Sequence, residues 1–246
     1  IVSADSRQVY RGLDIGTAKV RGAWKDGVFW YKKIPHHCID FISLKKTYSV
    51  AEFQECARNA IAYIGTRGKI PILVGGTGLW IDAVVHGWHL PRVPPSPKLR
   101  GRLEKKTAAH LLAILQGLDP HRAGTVEQKN PRRIIRAIEI AYALGSVPAL
   151  KKLAAYDTLW LGLNPPSTVL EKYIRTRTQN MLREGFISEV KKLRTLRVSK
   201  KHIGELGFEY RVGLAHLDGT LSRDGLVERF ALETRQYAKR QMTWFR

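Results

Sequence analysis

Sulfur, acid and long apolar runs are all scarce in this chain. Its two cysteines, Cys38 and Cys56, form no Cys-x-x-Cys pair, which argues against a zinc ribbon or a disulfide scaffold and makes a reducing cytoplasm the default compartment. No apolar run approaches the ~18 residues of a membrane span, and the first residues carry no signal-peptide pattern. His36 and His37 are adjacent, so on a regular element they point different ways. With no third ligand near them, no metal site is expected. There is no internal repeat and no low-complexity tract. The shortage of acid is the strongest of these signals. Lys and Arg number 42 against 21 Asp and Glu, a formal charge of +21. Such an excess is the electrostatic footprint of a polyanion partner, nucleic acid before membrane surface.

What remains is ample for a core. Of the 246 residues, 44% are hydrophobic, which fits one sizeable domain or a domain with an insert. The opening stretch, IVSADSRQVYRGLDIGTAK, reads as a short buried strand ending on the carboxylate of Asp5. It then enters polar Ser6, Arg7 and Gln8 and a basic, glycine-containing loop. In open α/β sheets ligands bind beyond the carboxyl ends of the strands, so Asp5 is a site candidate. Asp is also a favoured N-cap, so a cap on a following helix is the alternative.

Residues 20–47 read as loop-like, with Trp24, Trp30 and Pro35. Ser49 and Glu52 form a capping box, and Val50, Phe53, Ala57, Ile61 and Ile64 follow helical spacing until Gly65 and Gly68. The continuous apolar run over residues 70–74 predicts a buried strand. It breaks into Gly75-Gly76-Thr77-Gly78, followed by a helix over residues 79–85. Strand, Gly-rich turn and helix together present backbone N–H groups to an anion. Tight packing of a βα turn is the plainer explanation, because no Lys-Ser/Thr follows the glycines.

Pro91, Pro94, Pro95 and Pro97 mark a boundary. A basic helix is predicted over residues 98–118, broken by Asp119-Pro120, and another begins at Asn130-Pro131, with Asn at N-cap and Pro at N1. Arg132, Arg133 and Arg136 cluster on its first turns, where cations oppose the helix dipole. An anionic partner explains them, with a solvated face as the alternative. Residues 158–163 read as a strand, and Thr168 with Glu171 as a second capping box. The helix from there carries Arg175, Arg177 and Arg183 to Gly185, and residues 186–196 form an amphipathic helix. Lys200-Lys201-His202 reads as a basic loop, and a last helix from Ser222 carries Phe230, Tyr237, Gln241 and Trp244. Strands alternating with helices argue for a parallel α/β sheet. The strand pattern thins between residues 91 and 150, where a helical insertion is expected.

Four stretches carry a family resemblance. SADSRQVYRGLDIGTAK, ILVGGTGLWIDAV, NPRRIIRAIEI and TRQYAKRQMTWFR, with PHHCID, YSVAEF and GFISEV between them, resemble the tRNA dimethylallyltransferases (tRNA isopentenyltransferases) in order and over nearly the whole chain. The resemblance implies an α/β fold, with a P-loop-NTPase-like parallel sheet flanked by helices and a mostly helical insertion. The core would span residues 1–90 and 156–246, and the insertion residues 91–155, in contact with tRNA. The implied reaction moves a dimethylallyl group from dimethylallyl diphosphate to N6 of the adenosine just 3′ of the tRNA anticodon.

Position by position, the resemblance gives catalytic roles to Asp5, as general base at the adenine amino group, and to Thr77, which lines the reaction channel. Asp5, Ser6, Arg7, Gln8 and Thr77 match tRNA contacts, as do Arg100 and the helix start Arg132, Arg133, Ile134, Ile135 and Arg136. Arg177 matches a diphosphate-side arginine. The implied cofactor is Mg²⁺ and the implied partners are a tRNA anticodon stem-loop and dimethylallyl diphosphate. A monomer in the cytoplasm, away from membranes, is expected. Adenine N6 is a poor nucleophile, so a carboxylate beside it and cations beside the leaving diphosphate suit the chemistry.

The sequence departs from the family at several places. The family's Gly-x-x-x-x-Gly-Lys-Ser/Thr loop is absent; residues 65–69 and 75–78 lack the spacing. The first strand, the P-loop and its Mg²⁺-binding hydroxyl are therefore expected to be missing through truncation ahead of Ile1. Weak or absent catalysis with salt-sensitive tRNA binding is expected of such a chain. Asn130 replaces a common Asp, and Cys38 a usual aliphatic, where a free Cys would act as a small hydrophobe. IGELGFEYR is longer than the commoner version near a tRNA contact. The Cys/His zinc finger of some eukaryotic relatives is absent, which favours a bacterial-type enzyme. Two other readings stay open: an adenylate isopentenyltransferase acting on a free nucleotide, and a non-catalytic tRNA-binding remnant.

Overall fold

Two units make up the chain, Ile1–Gly87 with Ala154–Arg246, and Trp88–Leu153. The computed structural model describes residues 1–150 and 154–246; residues 151–153, part of the expected insertion, lie outside the described residues. The first unit begins with β1 (Val2–Ser3), β2 (Ala23–Lys25), β3 (Val28–Tyr31), β4 (Ile34–His36), α1 (Val50–Thr66), β5 (Leu73–Val74) and α2 (Gly78–Val85). The second holds α3 (Pro97–Leu103), α4 (Ala108–Leu118), α5 (Pro120–Thr125) and α6 (Pro131–Leu144). The first unit is completed by α7 (Ser167–Arg183), α8 (Phe186–Thr195), α9 (Lys200–Glu205), α10 (Phe208–Leu217) and α11 (Arg223–Phe245).

A short parallel sheet organises the first unit. β1 pairs with β5, Val2 opposite Leu73 and Ser3 opposite Val74. On its other side β1 bonds to the chain at His37, where Ser3 N donates to His37 O at 3.0 Å and His37 N to Ile1 O at 2.9 Å. Val2 and Ala4 are fully buried, as a strand enclosed on both sides requires. The run over residues 70–74 is less of a strand than its apolarity suggests. Only Leu73 and Val74 join the ladder, and Ile70, Ile72 and Val74 are exposed. The capping box of α1 forms as predicted, Ser49 N donating to Glu52 Oε2 at 2.7 Å and Glu52 N to Ser49 Oγ at 3.2 Å. Its apolar face delivers Phe53 onto Trp80 of α2, rings stacked at 4.3 Å.

Several sequence expectations are corrected. Residues 20–47 contain an antiparallel three-stranded sheet in the order β2-β3-β4. Its two-residue turns place Asp26-Gly27 and Lys32-Lys33 at positive φ, the geometry that matches strand twist in a hairpin. Strands this short, one joined through two lysines, give almost no alternation signal. Residues 158–163 join no ladder among the described residues, and Leu159, Leu161 and Leu163 are 83%, 86% and 95% exposed. A strand is made by its partner, and apolar composition alone does not supply one. The predicted helix over residues 98–118 is two helices, the second restarted by Thr107, whose hydroxyl accepts His110 N.

Thr168 and Glu171 form no capping box. α7 begins after Pro166 with no side-chain cap, and Glu171 pairs instead with Arg175 at 2.9 Å and Arg235 at 3.1 Å. Lys200–His202 is not a loop but the first turn of α9, capped by Ser199. The two cysteines are bonded to each other, with Cα atoms 6.2 Å apart. The link ties the segment after β4 to α1, so the free buried thiol expected at Cys38 is corrected. Spacing along the chain carries no information on such a pairing.

The second unit has its own core. Leu103, Leu111, Leu115, Ile134 and Ile138 fill it. Asp119 joins two of its segments, accepting Arg122 N and Val147 N at 2.8 Å each. Among the described residues no helix is long and apolar enough to cross a membrane.

Candidate functional site

Because β1 and β5 are parallel, their carboxyl ends open on the same edge. The chain leaves β1 through Asp5 and β5 through Gly75, Gly76 and Thr77, and Ala4 links the two exits. Ala4 N donates to Val74 O at 2.7 Å, and Thr77 N to Ala4 O at 3.3 Å. The glycines are explained by close approach. A Cβ at Gly75 would strike the Ala4 carbonyl, one at Gly76 the Gln241 amide, and one at Gly78 the Trp244 ring. This is the plain packing explanation of the glycine-rich turn.

Asp5 does act as a cap, but of a turn and not a helix. Its Oδ1 accepts Arg7 N at 2.8 Å and Gln8 N at 3.3 Å. Oδ2 has no hydrogen-bond partner among the described residues. The Thr77 hydroxyl accepts Ser6 N at 3.1 Å and lies 3.4 Å from Ser6 Oγ. α11 closes over this pair of turns. Gln241 Nε2 and Tyr237 Oη donate to Gly76 O at 3.0 and 3.3 Å, and Trp244 Nε1 donates to Asp82 Oδ2 at 3.0 Å. Burial and then the Asp5 charge push the Tyr237 hydroxyl up, so it holds its proton. Gln8 serves the frame: its amide donates to Thr17 O at 3.1 Å and its oxygen lies 3.5 Å from Ser3 Oγ.

The loop beyond this turn is held by charge. Glu189 of α8 accepts the backbone N–H of Asp14, Ile15 and Gly16 at 2.9, 2.8 and 3.0 Å, and the Tyr210 hydroxyl at 2.8 Å. Lys19 is buried with its ammonium 2.7 Å from each of Tyr10 O, Asp14 and Asp40. On a further side of the site, Arg177 of α7 and Glu209 of α10 line one small cavity of about 10 Å³. Burial pushes the Glu209 carboxyl up to about 7; Arg177 and Arg7 pull it back while Asp5 raises it. A larger cavity of about 340 Å³, lined by residues such as Trp24, His37 and Tyr63, holds none of these side chains.

The structure thus brings Asp5, Ser6 and Thr77 together directly, and Arg7 and Arg177 act electrostatically on the same Glu209. The other predicted residues, Gln8 apart, belong to the second unit. There Arg100 makes a two-pronged contact with Glu139, both bonds at 2.8 Å, and Arg136 reaches Glu139 at 3.4 Å and Val93 O at 2.9 Å. Arg133 pairs with Glu127 at 3.0 Å, and Arg132 is exposed. Ile134 and Ile135 are 0% and 5% exposed, so an RNA contact through these two side chains is corrected: they are core. Sequence reasoning missed Glu209, Tyr237 and Gln241. The spacing of Tyr237, Gln241 and Trp244, four and three apart on one helix face, is the one signal that could have found the last two.

Mg²⁺ finds no ready seat in this donor set. Among the described residues no group of three or more His, Cys, Asp and Glu side chains is placed to hold a metal ion. The site carboxylate Asp5 already has one oxygen engaged by two amides.

Comparison with known proteins gives a consistent result. A family model described as IPP transferase matches residues 8–246. The chain is similar to the tRNA dimethylallyltransferase of Synechococcus sp. (strain JA-3-3Ab), 42% identical over 100% of this chain and 71% of that protein. It is 38% identical to that of Bacillus licheniformis over 100% of this chain and 79% of that one. Among solved structures it is similar to the full-length tRNA isopentenylpyrophosphate transferase of Bacillus halodurans. That match has a TM-score of 0.67 and 34% identity, over 99% of this chain and 77% of that one. A eukaryotic dimethylallyltransferase acting on tRNA matches with a TM-score of 0.80 and 28% identity, over 100% of this chain and 63% of that one.

Proposed function

The chain belongs to the IPP transferase family, and on that premise we propose that it transfers a dimethylallyl group from dimethylallyl diphosphate to N6 of the adenosine just 3′ of a tRNA anticodon. One observation carries this reading. Asp5 and Thr77, on the exits of adjacent parallel strands, are joined through the 3.1 Å bond from Ser6 N to Thr77 Oγ1 and covered by α11. With Oδ1 held by two amides, Oδ2 of Asp5 is the oxygen left for substrate. It takes the N6 proton as the N6–carbon bond forms. The bond from the allylic carbon to the diphosphate oxygen breaks, and its electron pair leaves with the diphosphate. Arg177 stands at the anion end, where fixed positive charge stabilises the departing group. The described residues build no site for Mg²⁺ by themselves; bound with a diphosphate, the ion would supply further positive charge there.

The base must leave its stack to be reached, at a cost of about a few kcal/mol that contacts to its neighbours offset. The charge of +21 suits the phosphates of an anticodon stem-loop, and exposed Arg132 with Arg133 is placed for that work. Ser6 and Arg7 are left to the RNA, because the Gln8 side chain is committed to the frame. Arg100 and Arg136 reach RNA with whatever donors Glu139 leaves free. We place the protein, as a monomer, in the cytoplasm with its tRNA.

Labelled dimethylallyl diphosphate, offered with either an anticodon stem-loop or AMP, tests the reading. Label on the stem-loop adenosine supports it. Label on AMP alone makes the protein a free-nucleotide enzyme, and stem-loop binding without any transfer makes it an RNA-binding protein. Asp5→Ala is expected to reduce turnover about 10²–10⁴-fold while tRNA affinity changes little. Equal losses in both would reassign Asp5 to binding.

A further inference from the structure

Glu209 has no task in the reaction just described, yet it is built into the same site. It lies in IGELGFEYR, the longer segment, on the second residue of α10. Gly207 makes room for it: a Cβ there would stand 2.7 Å from Glu209 Oε2. The carboxyl is thereby folded back over the helix start, where it accepts its own backbone N–H.

Arg177, from α7, lines the same cavity, whose volume of about 10 Å³ is close to the space one water needs. No ion pair closes between Arg177 and Glu209 among the described residues, so an oxygen of a ligand can stand between them. The other groups facing Glu209 are Asp5 and Arg7 from the turn after β1, Tyr237 and Thr234 from α11, and Thr178 from α7.

We propose that Glu209 is a further anion-binding residue of the site: it takes up one proton when a diphosphate oxygen enters the cavity beside Arg177, and donates that O–H to the oxygen. This rests on the reading of Arg177 as the diphosphate side. The balance is simple: solvent supplies the proton, an O–H bond forms on Glu209, and no bond of the diphosphate breaks. The physics follows from placement. A half-buried carboxylate beside a bound oxyanion would set two negative charges against each other, so the bound state favours the neutral acid. Without ligand the carboxyl titrates at about 7, half-protonated where the protein would work. Anion affinity must then fall as pH rises through that value, because a ligand that needs a protonated partner binds less well once the proton is gone.

Titration calorimetry with inorganic diphosphate on the full chain tests this, at pH 6 and pH 8 and in two buffers of different ionisation heat. At pH 8 the wild-type protein is expected to take up more protons on binding than Glu209→Gln does. Relative to Glu209→Gln, which mimics the neutral acid, its affinity should fall by about tenfold from pH 6 to pH 8. The ligand's own ionisation is common to both proteins and cancels in that ratio. Identical pH profiles and identical buffer-dependent heats in wild type and variant overturn the proposal and leave Arg177 as an anion site. No binding of diphosphate to the wild type at either pH overturns the Arg177 reading, and this inference falls with it. Infrared difference spectra need no variant, so a folding defect in Glu209→Gln does not blur the outcome: a protonated-carboxyl band should grow in the wild type as inorganic diphosphate binds at pH 8, and its absence overturns the proposal.

Discussion

The hydroxyl of Thr77 accepts the backbone N–H of Ser6 at 3.1 Å, a hydrogen bond between residues 71 apart in sequence. It joins the turn after β5 to the turn that carries Asp5, so the shape of the proposed base site depends on a side chain from another strand. Thr77→Val keeps the volume and removes the acceptor, leaving the Ser6 amide unpaired at a cost of about 1–3 kcal/mol. Thermal unfolding should register that loss, and transfer activity should fall with it. Thr77→Ser should retain most of both. A valine variant equal to wild type in melting and activity would mean that the bond does not shape the site.

Glu189 is the anchor of the loop over residues 14–16. A carboxylate accepting three amides and a phenol is worth more than the amide that would replace it in Glu189→Gln, because an NH₂ cannot accept. The variant is expected to lose about 2–3 kcal/mol. Hydrogen exchange should speed up at Asp14, Ile15 and Gly16 specifically. Unchanged protection at those three amides would count against the anchor.

In the second unit, Glu139, whose side chain is only 1% exposed, should contribute to pH sensitivity. Burial pushes its carboxyl up, but bonds from Arg100 and Ser96 N and the Arg100 charge outweigh burial and hold it below the ordinary value. The folded form therefore binds its proton less readily than the unfolded chain. Its stabilising effect is complete above the ordinary glutamate value of about 4.3 and is lost as pH falls through the lower folded value. Melting followed from about pH 6 down to about pH 3 should show a drop that is smaller in Glu139→Gln. At neutral pH that variant should be weaker by about 2–4 kcal/mol, towards the lower end because both arginines reach solvent.

The Cys38–Cys56 bond closes a loop across a sequence separation of 18 residues. Chain-entropy arguments assign such a loop about 3 kcal/mol of stabilisation. Reductant should lower the melting temperature of the wild type and leave a Cys38→Ser, Cys56→Ser double variant unmoved. Two titratable thiols in the denatured, unreduced protein would show that the bond is not formed.

Parts of this architecture were legible in the residues alone because their signals are local. The box at Ser49 and Glu52, the Asn130 cap with Pro131 behind it, and the break at Asp119-Pro120 each act within one turn of backbone. Longer-range features were not. Lys32 and Lys33 give no hint of a hairpin turn, and the apolar run at residues 158–163 reads as a strand although nothing among the described residues pairs with it. Within the site, Asp5 and Thr77 stood out through their motifs, whereas Glu209 sits among ordinary helix residues. Its importance arises from Asp5, Arg7 and Arg177, which no spacing rule connects to it.

The sequence by itself determined the charge of the surface, the helix starts, the split into strand-bearing and helical segments, and the family to which the chain belongs. Those properties are summed over residues or written in short motifs, so they survive without coordinates. Tertiary structure alone decided that Ser6 meets Thr77, that Gln241 and Tyr237 cover Gly76, and that Ile134 and Ile135 face a core. It also decided that the two cysteines join. Each of these depends on which distant segment fills the space beside a residue. That is settled by the packing of whole elements, where a carboxyl's charge and a hydroxyl's partner are set by neighbours the chain brings from far away.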